Sequence, residues 1–168
     1  MKTLSRIFGF GKERHGGDPL KGQPGIFVCK TCGIVYHKKF WHHALDYEKH
    51  VQKDKTPVIF GHCPACELSQ NKMFRGKITI YNIPSEILDE LTNAIHNLAN
   101  SARERNPLDR ILSLVHSPQM IEVTTSVNHL AEHITKKIKS TFKPWRLSMY
   151  RTGSNNEILV IKIDFNKN

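Results

Sequence analysis

The chain has 168 residues and a mass of 19.3 kDa, enough for one medium domain or two small ones. An apolar fraction of 39% beside 24% charged residues excludes a wholly disordered chain and marks a globular one. Lysine and arginine total 25 against 15 acidic residues, a net charge of +10 that points to a polyanionic partner, nucleic acid before an anionic membrane.

No run approaches the roughly 18 apolar residues of a spanning helix. The opening Met1–Lys12 is interrupted by Ser5 and Arg6 before any long apolar stretch, and no small-residue cleavage site follows. The expectation is a cytoplasmic protein with reduced cysteines and no membrane contact. Residues 1–25, ending in Gln23-Pro24-Gly25, read as a basic, Gly-rich flexible tail that orders along a phosphate backbone or simply solvates the chain.

Residues 26–76 carry the clearest chemistry. All four cysteines fall in two pairs, Cys29-Lys-Thr-Cys32 and Cys63-Pro-Ala-Cys66, with thirty residues between them. Two thiolates three positions apart on a tight turn can both face one ion, and two such turns supply four sulfurs in a tetrahedron. Gly33 and Pro64 favour sharp turns whose amides point at the sulfurs. The gap exceeds the roughly 15–20 residues of a minimal ribbon, so an insertion separates the knuckles. Two disulfides or a redox dithiol fit poorly, because the compartment is reducing and one C-x2-C pair suffices for redox work. Four thiolates leave no open coordination position, which argues for one structural metal and against hydrolysis.

Zinc and iron both suit a tetrahedral sulfur set. The run Cys29-x-x-Cys32-Gly33-Ile34-Val35-Tyr36 resembles the first knuckle of rubredoxin, an iron electron carrier. The second knuckle continues Glu67-Leu68 where rubredoxins have glycine, and this chain is basic where they are acidic, so zinc is preferred.

Residues 36–55 interleave cations with aromatics. If their first half is helical, Phe40, Trp41, Ala44, Leu45 and Tyr47 form an apolar face, ringed by Lys38, Lys39, Lys49, Lys53 and Lys55 with His37, His42, His43 and His50. Charge for phosphates and flat rings for unpaired bases suit a nucleic-acid surface. The plainer alternative has Trp41 and Tyr36 packing the knuckles while the lysines solvate the exterior. These histidines lack the i, i+4 spacing of a helical metal pair, and His62 beside Cys63 meets a shell that four sulfurs already complete.

Residues 77–168 read as one α+β unit. Residues 77–81 alternate as a strand; a helix from Pro84-Ser85-Glu86 carries Ile87, Leu88, Leu91, Ile95, Leu98, Ala99 and Ala102 on one stripe and stops at Asn106-Pro107. Strands follow over 109–116 and 120–125. A second helix buries Val127, Leu130, Ala131, Ile134 and Ile138 and presents His129, His133, Lys136, Lys137 and Lys139. Residues 146–150 and 158–165 close as a hairpin. The order β-α-β-β-α-β-β resembles a ferredoxin-like sandwich with one extra strand. The whole chain is therefore α+β: a four-cysteine zinc ribbon with rubredoxin-like knuckles, then the ferredoxin-like domain. No phosphate loop, nucleophile elbow or carboxylate pair stands out, and His96, His116 and Asp164 have no evident partner, so the expectation is a non-enzymatic protein without a small-molecule substrate.

The cysteine turns with Tyr36-His37-Lys38 and Trp41, the segment Asn106-Pro107-Leu108-x-Arg110-Ile111, and Thr124-Thr125-x4-Leu130-Ala131-x2-Ile134 are together similar to an uncharacterised family of small bacterial zinc-ribbon proteins. That family is related to the N-terminal region of the adaptor that escorts large ribosomal subunits from the nucleus. The resemblance spans residues 25–165. It implies zinc at the four cysteines, association with ribosomal RNA or ribosomal particles, and no catalysis. The adaptor's long C-terminal regions and export signals have no counterpart here, so a role in assembly, storage or translational control is what carries over.

The expected sites are Cys29, Cys32, Cys63 and Cys66 for one structural zinc, and Lys38, Lys39, Trp41, Lys49, Lys53, Arg103, Arg105, Lys136, Lys137 and Lys139 for RNA, with Tyr36 as a second stacking ring. The competing readings are an iron electron carrier on the same cysteines and a zinc-ribbon protein–protein adaptor.

Overall fold

The computed structural model describes residues 19–44, 56–118 and 120–166. The chain divides into two compact units, Met1–Glu67 and Leu68–Asn168.

The first unit is built on a four-stranded sheet. Its strands are β1 (Ile26–Cys29), β2 (Val35–His37), β3 (Phe40–His42) and β4 (Val58–Gly61), in the order β3-β2-β1-β4. The β1-β2 and β2-β3 pairs are antiparallel, whereas β1 and β4 run parallel with Phe27 opposite Ile59. Alternation along the strands sorts the apolar residues onto two faces. Phe27 and Tyr36 pack with Leu20 and the half-buried Trp41 on one face; Ile26 and Val35 pack with Val28 on the other.

The helix expected from Phe40 is instead a strand. Lys38 and Lys39 adopt φ of +49° and +70°, the pattern of a two-residue type I′ turn, and return the chain so that Tyr36 faces Trp41. Val, Tyr, Phe and Trp favour a pleated, half-buried surface, and that preference prevails over the helical spacing. The expected helical residues Leu45 and Tyr47 lie outside the described residues, as do Lys49 and Lys53.

Helix α1 (Pro64–Gln70) follows β4 directly. Pro64 is its first residue, where a missing amide hydrogen costs nothing.

The second unit follows the expected element order closely. Strand β5 (Gly76–Tyr81) leads through a 3-10 turn at Ser85–Ile87 into α2 (Leu88–Arg105). Then come β6 (Ile111–Ser117), β7 (Met120–Thr125), α3 (Asn128–Phe142), β8 (Arg146–Thr152) and β9 (Ile158–Asp164). The sheet order is β6-β7-β5-β9-β8, with β9 beside β5 in parallel and every other neighbouring pair antiparallel. The closing hairpin thus inserts its second strand between β5 and β8.

Register aligns Ile78 with Val123 and Ile161, and Ile80 with Ile121 and Ile163, in rows on one sheet face. Leu91, Ile95 and Ala102 of α2 and Leu130, Ala131, Ile134 and Ile138 of α3 join that core, which explains both helical stripes. At Gly76 α3 approaches the sheet closely, since a Cβ there would stand 2.6 Å from the Cβ of Ala131.

The turn after α2 is tied down by side chains. Asn106 Nδ2 donates to Asp109 Oδ1 at 2.9 Å, and Asp109 Oδ2 lies 2.6 Å from His129 Nε2 on α3. The Arg110 amide donates to Ser126 Oγ, which donates to the Leu108 carbonyl. This turn delays β6 to Ile111, two residues later than the alternation indicated. Asp164 is partnered as well, accepting from Asn82 Nδ2 at 2.9 Å and from the Asn166 amide. Those bonds hold its carboxyl below the ordinary carboxylate value.

Candidate metal centre

Cys29 ends β1, and Cys32 sits in the turn that leads to β2. Gly33 takes φ of +74°, a left-handed conformation favoured by a residue without Cβ. The Gly33 amide donates to the Cys29 carbonyl and the Cys29 amide to the Ile34 carbonyl, both at 2.9 Å, closing the turn. The Lys30 amide bonds the Gly61 carbonyl, joining this turn to the end of β4.

The second pair is not on a hairpin turn. Cys63 immediately precedes α1 and Cys66 lies in its first turn, so helical geometry turns both sulfurs the same way. The Glu67 amide donates to the Cys63 carbonyl at 2.9 Å, the first bond of that helix. One hairpin turn and one helix start therefore supply the four sulfurs.

All four Sγ atoms lie within 4.8 Å of one another, and no disulfide joins them. Cys32 and Cys63 Sγ are 3.7 Å apart. A tetrahedron with metal–sulfur bonds of about 2.3 Å has edges of about 3.8 Å, so this separation fits an ion between them. Cys29, Cys63 and Cys66 are buried and Cys32 half-buried. The Cys63 amide donates to Cys29 Sγ at 3.3 Å and the Cys66 amide to Cys63 Sγ at 3.4 Å, a second layer that stabilises thiolate charge.

Without an ion, Cys63 and Cys66 hold their protons. The hydrogen bond to Cys32, followed by burial, raises the Cys63 thiol far above its ordinary value. Burial, followed by the Cys32 hydrogen bond, pushes Cys66 up to about 11. Four crowded sulfurs repel one another as thiolates, and a divalent cation is the natural counter-charge. The donor set suits a structural metal ion and is equally acceptable to zinc and to iron.

Among the described residues these cysteines are the one group of three or more His, Cys, Asp or Glu placed to hold a metal. His62 is exposed and pairs its Nδ1 with Thr31 Oγ1 at 3.0 Å. His42 directs Nε2 at the His37 carbonyl at 3.3 Å.

The expected RNA contacts fall in two groups. Lys38 and Lys39 are exposed at the tip of the β2-β3 hairpin in the first unit. Arg103, Arg105, Lys136, Lys137 and Lys139 are exposed on the helices of the second. Arg105 and Lys137 line an open groove of about 530 Å3 alongside Asn97 and Ser101.

The expected stacking rings are differently placed. Tyr36 is buried, and Trp41 lies edge-on to Phe27 at 5.9 Å and tilted on Tyr36 at 5.1 Å, so both serve the first unit's core. Trp145, which sequence reasoning passed over, is 55% exposed. Its signal was available: it stands between Lys143-Pro144 and Arg146, directly after a cationic helix end.

No helix among the described residues is long and apolar enough to cross a membrane. Compared with protein-family models and with curated proteins, the chain matches none.

Proposed function

We propose that this chain is a zinc-stabilised, non-enzymatic RNA-binding protein that associates with ribosomal RNA or ribosomal particles in the cytoplasm. Zinc occupies Cys29, Cys32, Cys63 and Cys66, so the first unit is a zinc-ribbon relative and the second a ferredoxin-like sandwich with its last strand inserted. The observation carrying the metal half is the convergence of four sulfurs within 4.8 Å, with no coordination position left over. The RNA half is supported by the net charge of +10 and by exposed cations on both units, and by the resemblance noted above. Lys38, Lys39, Arg103, Arg105, Lys136, Lys137 and Lys139 are assigned to phosphates.

If six such residues engage phosphates, log affinity falls with log salt at a slope of about −4 to −5. Sedimentation of a lysate through a sucrose gradient tests the partner: the protein travels with ribosomal subunits, and loses them after ribonuclease treatment. A flat salt response with no co-sedimentation removes the reading.

A protein–protein adaptor is the second reading, favoured by one observation. Strand β4 ends the sheet, and its Val58, Ile59 and Phe60 are all exposed. An apolar edge strand of this kind can take a partner strand. Crosslinking in cells separates the two, since an adaptor yields stable protein partners and no RNA.

A further inference from the structure

Half as many positive charges as the whole net charge fall in one short stretch of sequence, with Asp164 of β9 standing opposite its last member, Arg146. Residues 136–146 contain Lys136, Lys137, Lys139, Lys143 and Arg146 with no acidic residue among them, and all five cations are exposed. Trp145 lies within this run. Tryptophan is one of the more buried residue types on average, yet here it is 55% exposed.

The backbone is constrained on both sides of Trp145. Helix α3 ends with Lys143 in the left-handed region, φ +50°, a position where glycine is the favoured residue. Lysine there carries a modest conformational cost and adds a charge two residues before the tryptophan. Pro144 fixes the next φ, and β8 begins at Arg146, so Trp145 is bracketed by two rigid elements.

The helix and strand β8 are linked twice. They are joined at one end by this turn and at the other by the Arg151–Glu132 ion pair at 3.3 Å. Lys136 and Lys139 follow Glu132 at i+4 and i+7, on the same helical stripe. A line of positive charge therefore leads along the helix toward Trp145.

We propose that residues 136–146 form a single-stranded RNA site in which Trp145 stacks an unpaired base while Lys136, Lys139, Lys143 and Arg146 hold the flanking phosphates. The proposal rests on the RNA-binding reading above and gives it a site. Stacking on an exposed ring with cations on either side is the chemistry by which proteins hold single strands without reading sequence. A duplex does not satisfy it, because its bases present no open face. A lipid surface fits less well: Ile138 is buried and Phe142 is packed against the core, so within residues 136–146 Trp145 is the one exposed large apolar side chain, although Met149 and Tyr150 further along β8 are exposed as well.

The test uses the full-length, metal-loaded protein and a fluorescein-labelled 12-nucleotide oligouridine. Anisotropy titrations are run at several salt concentrations, with a duplex of equal length and anionic phosphatidylserine vesicles in parallel. The single strand is expected to bind more tightly than the duplex and to quench tryptophan fluorescence. Trp145→Ala should weaken it about 5- to 100-fold with the salt slope unchanged, and Trp145→Phe should recover part of the loss. Lys136→Gln with Lys139→Gln should reduce the slope by about 1.4. Superimposable thermal melts establish that the variants are folded. Tight binding of wild type that is indifferent to Trp145→Ala overturns this site and leaves the RNA-binding reading standing. No binding of wild type to oligouridine, duplex or ribosomal RNA overturns both. Vesicle binding that depends on Trp145, without oligouridine binding, overturns the site in favour of a membrane.

Discussion

The carboxylate of Asp109 lies 2.6 Å from the Nε2 of His129, twenty residues on, and is only 10% exposed. The contact pins the turn after α2 to the first turn of α3. Asn106 and Ser126 complete the clasp, so the backbone groups of Leu108 and Arg110 are satisfied where the chain leaves helical geometry. Asp109→Ala removes the acceptor of two side-chain donors and should destabilise the second unit by about 1–3 kcal/mol. A double-mutant cycle with His129→Ala in urea should return a coupling of about 1 kcal/mol, whereas additive losses would show that the contact is incidental.

Gly76 lies where α3 approaches the sheet closely. Gly76→Ala drives a methyl group into Ala131 and Thr125, and overpacking of this kind costs about 1–3 kcal/mol. A drop in the melting temperature of the second unit, with metal content unchanged, is the expected result. The variant Gly76→Ala/Ala131→Gly should recover part of it.

At the tip of the β2-β3 hairpin, Lys38 and Lys39 occupy two left-handed positions that Asn-Gly fills with less strain. Lys38→Asn/Lys39→Gly should stabilise the first unit by about 1 kcal/mol. On the functional proposal it should also reduce the salt slope of RNA binding by about 1.4 to 1.8, as two phosphate contacts are lost. A gain in stability with an unchanged slope would assign these lysines to solvation alone.

Metal loading should release protons. Cys63 and Cys66 are held protonated at neutral pH, and both must become thiolates to bind an ion. Because the raised values favour the metal-free, protonated cluster, affinity is lost as pH falls. Calorimetry at pH 7 in buffers of different ionisation enthalpy should report at least two protons per zinc, with apparent affinity rising about a hundredfold or more per pH unit. Loading without proton release would contradict protonated thiols at Cys63 and Cys66.

The second unit was legible because its periods are unambiguous. Ile78 and Ile80 alternate, while Leu91, Ile95, Leu130, Ile134 and Ile138 recur at helical spacing, and each pattern buries the face it marks. Strand order was not legible, since nothing in residues 158–164 states that they insert between β5 and β8. The metal ligands were readable from spacing alone, but their setting was only half seen. Pro64 at the start of α1 was a helix signal that its reading as a turn residue obscured. In Phe40 and Trp41 two periods competed, and the lysine turn before them carries no Gly or Asn to announce a hairpin. The segments Asn106–Ile111 and Thr124–Ile134, on which the family resemblance leaned, meet in the Asp109–His129 clasp and its neighbours. Their particularity thus reflects a structural junction as much as any recognition surface.

Among the described residues the first unit packs two small apolar clusters, so an ion at its cysteines is expected to supply much of its stability. Native mass spectrometry of the full chain, purified with no added metal, tests this most directly. One zinc per folded chain is expected, with its removal by a chelator broadening the charge-state distribution as the first unit unfolds while the second keeps its core. A metal-free chain with the same compact distribution, or one carrying two disulfides, would contradict the account.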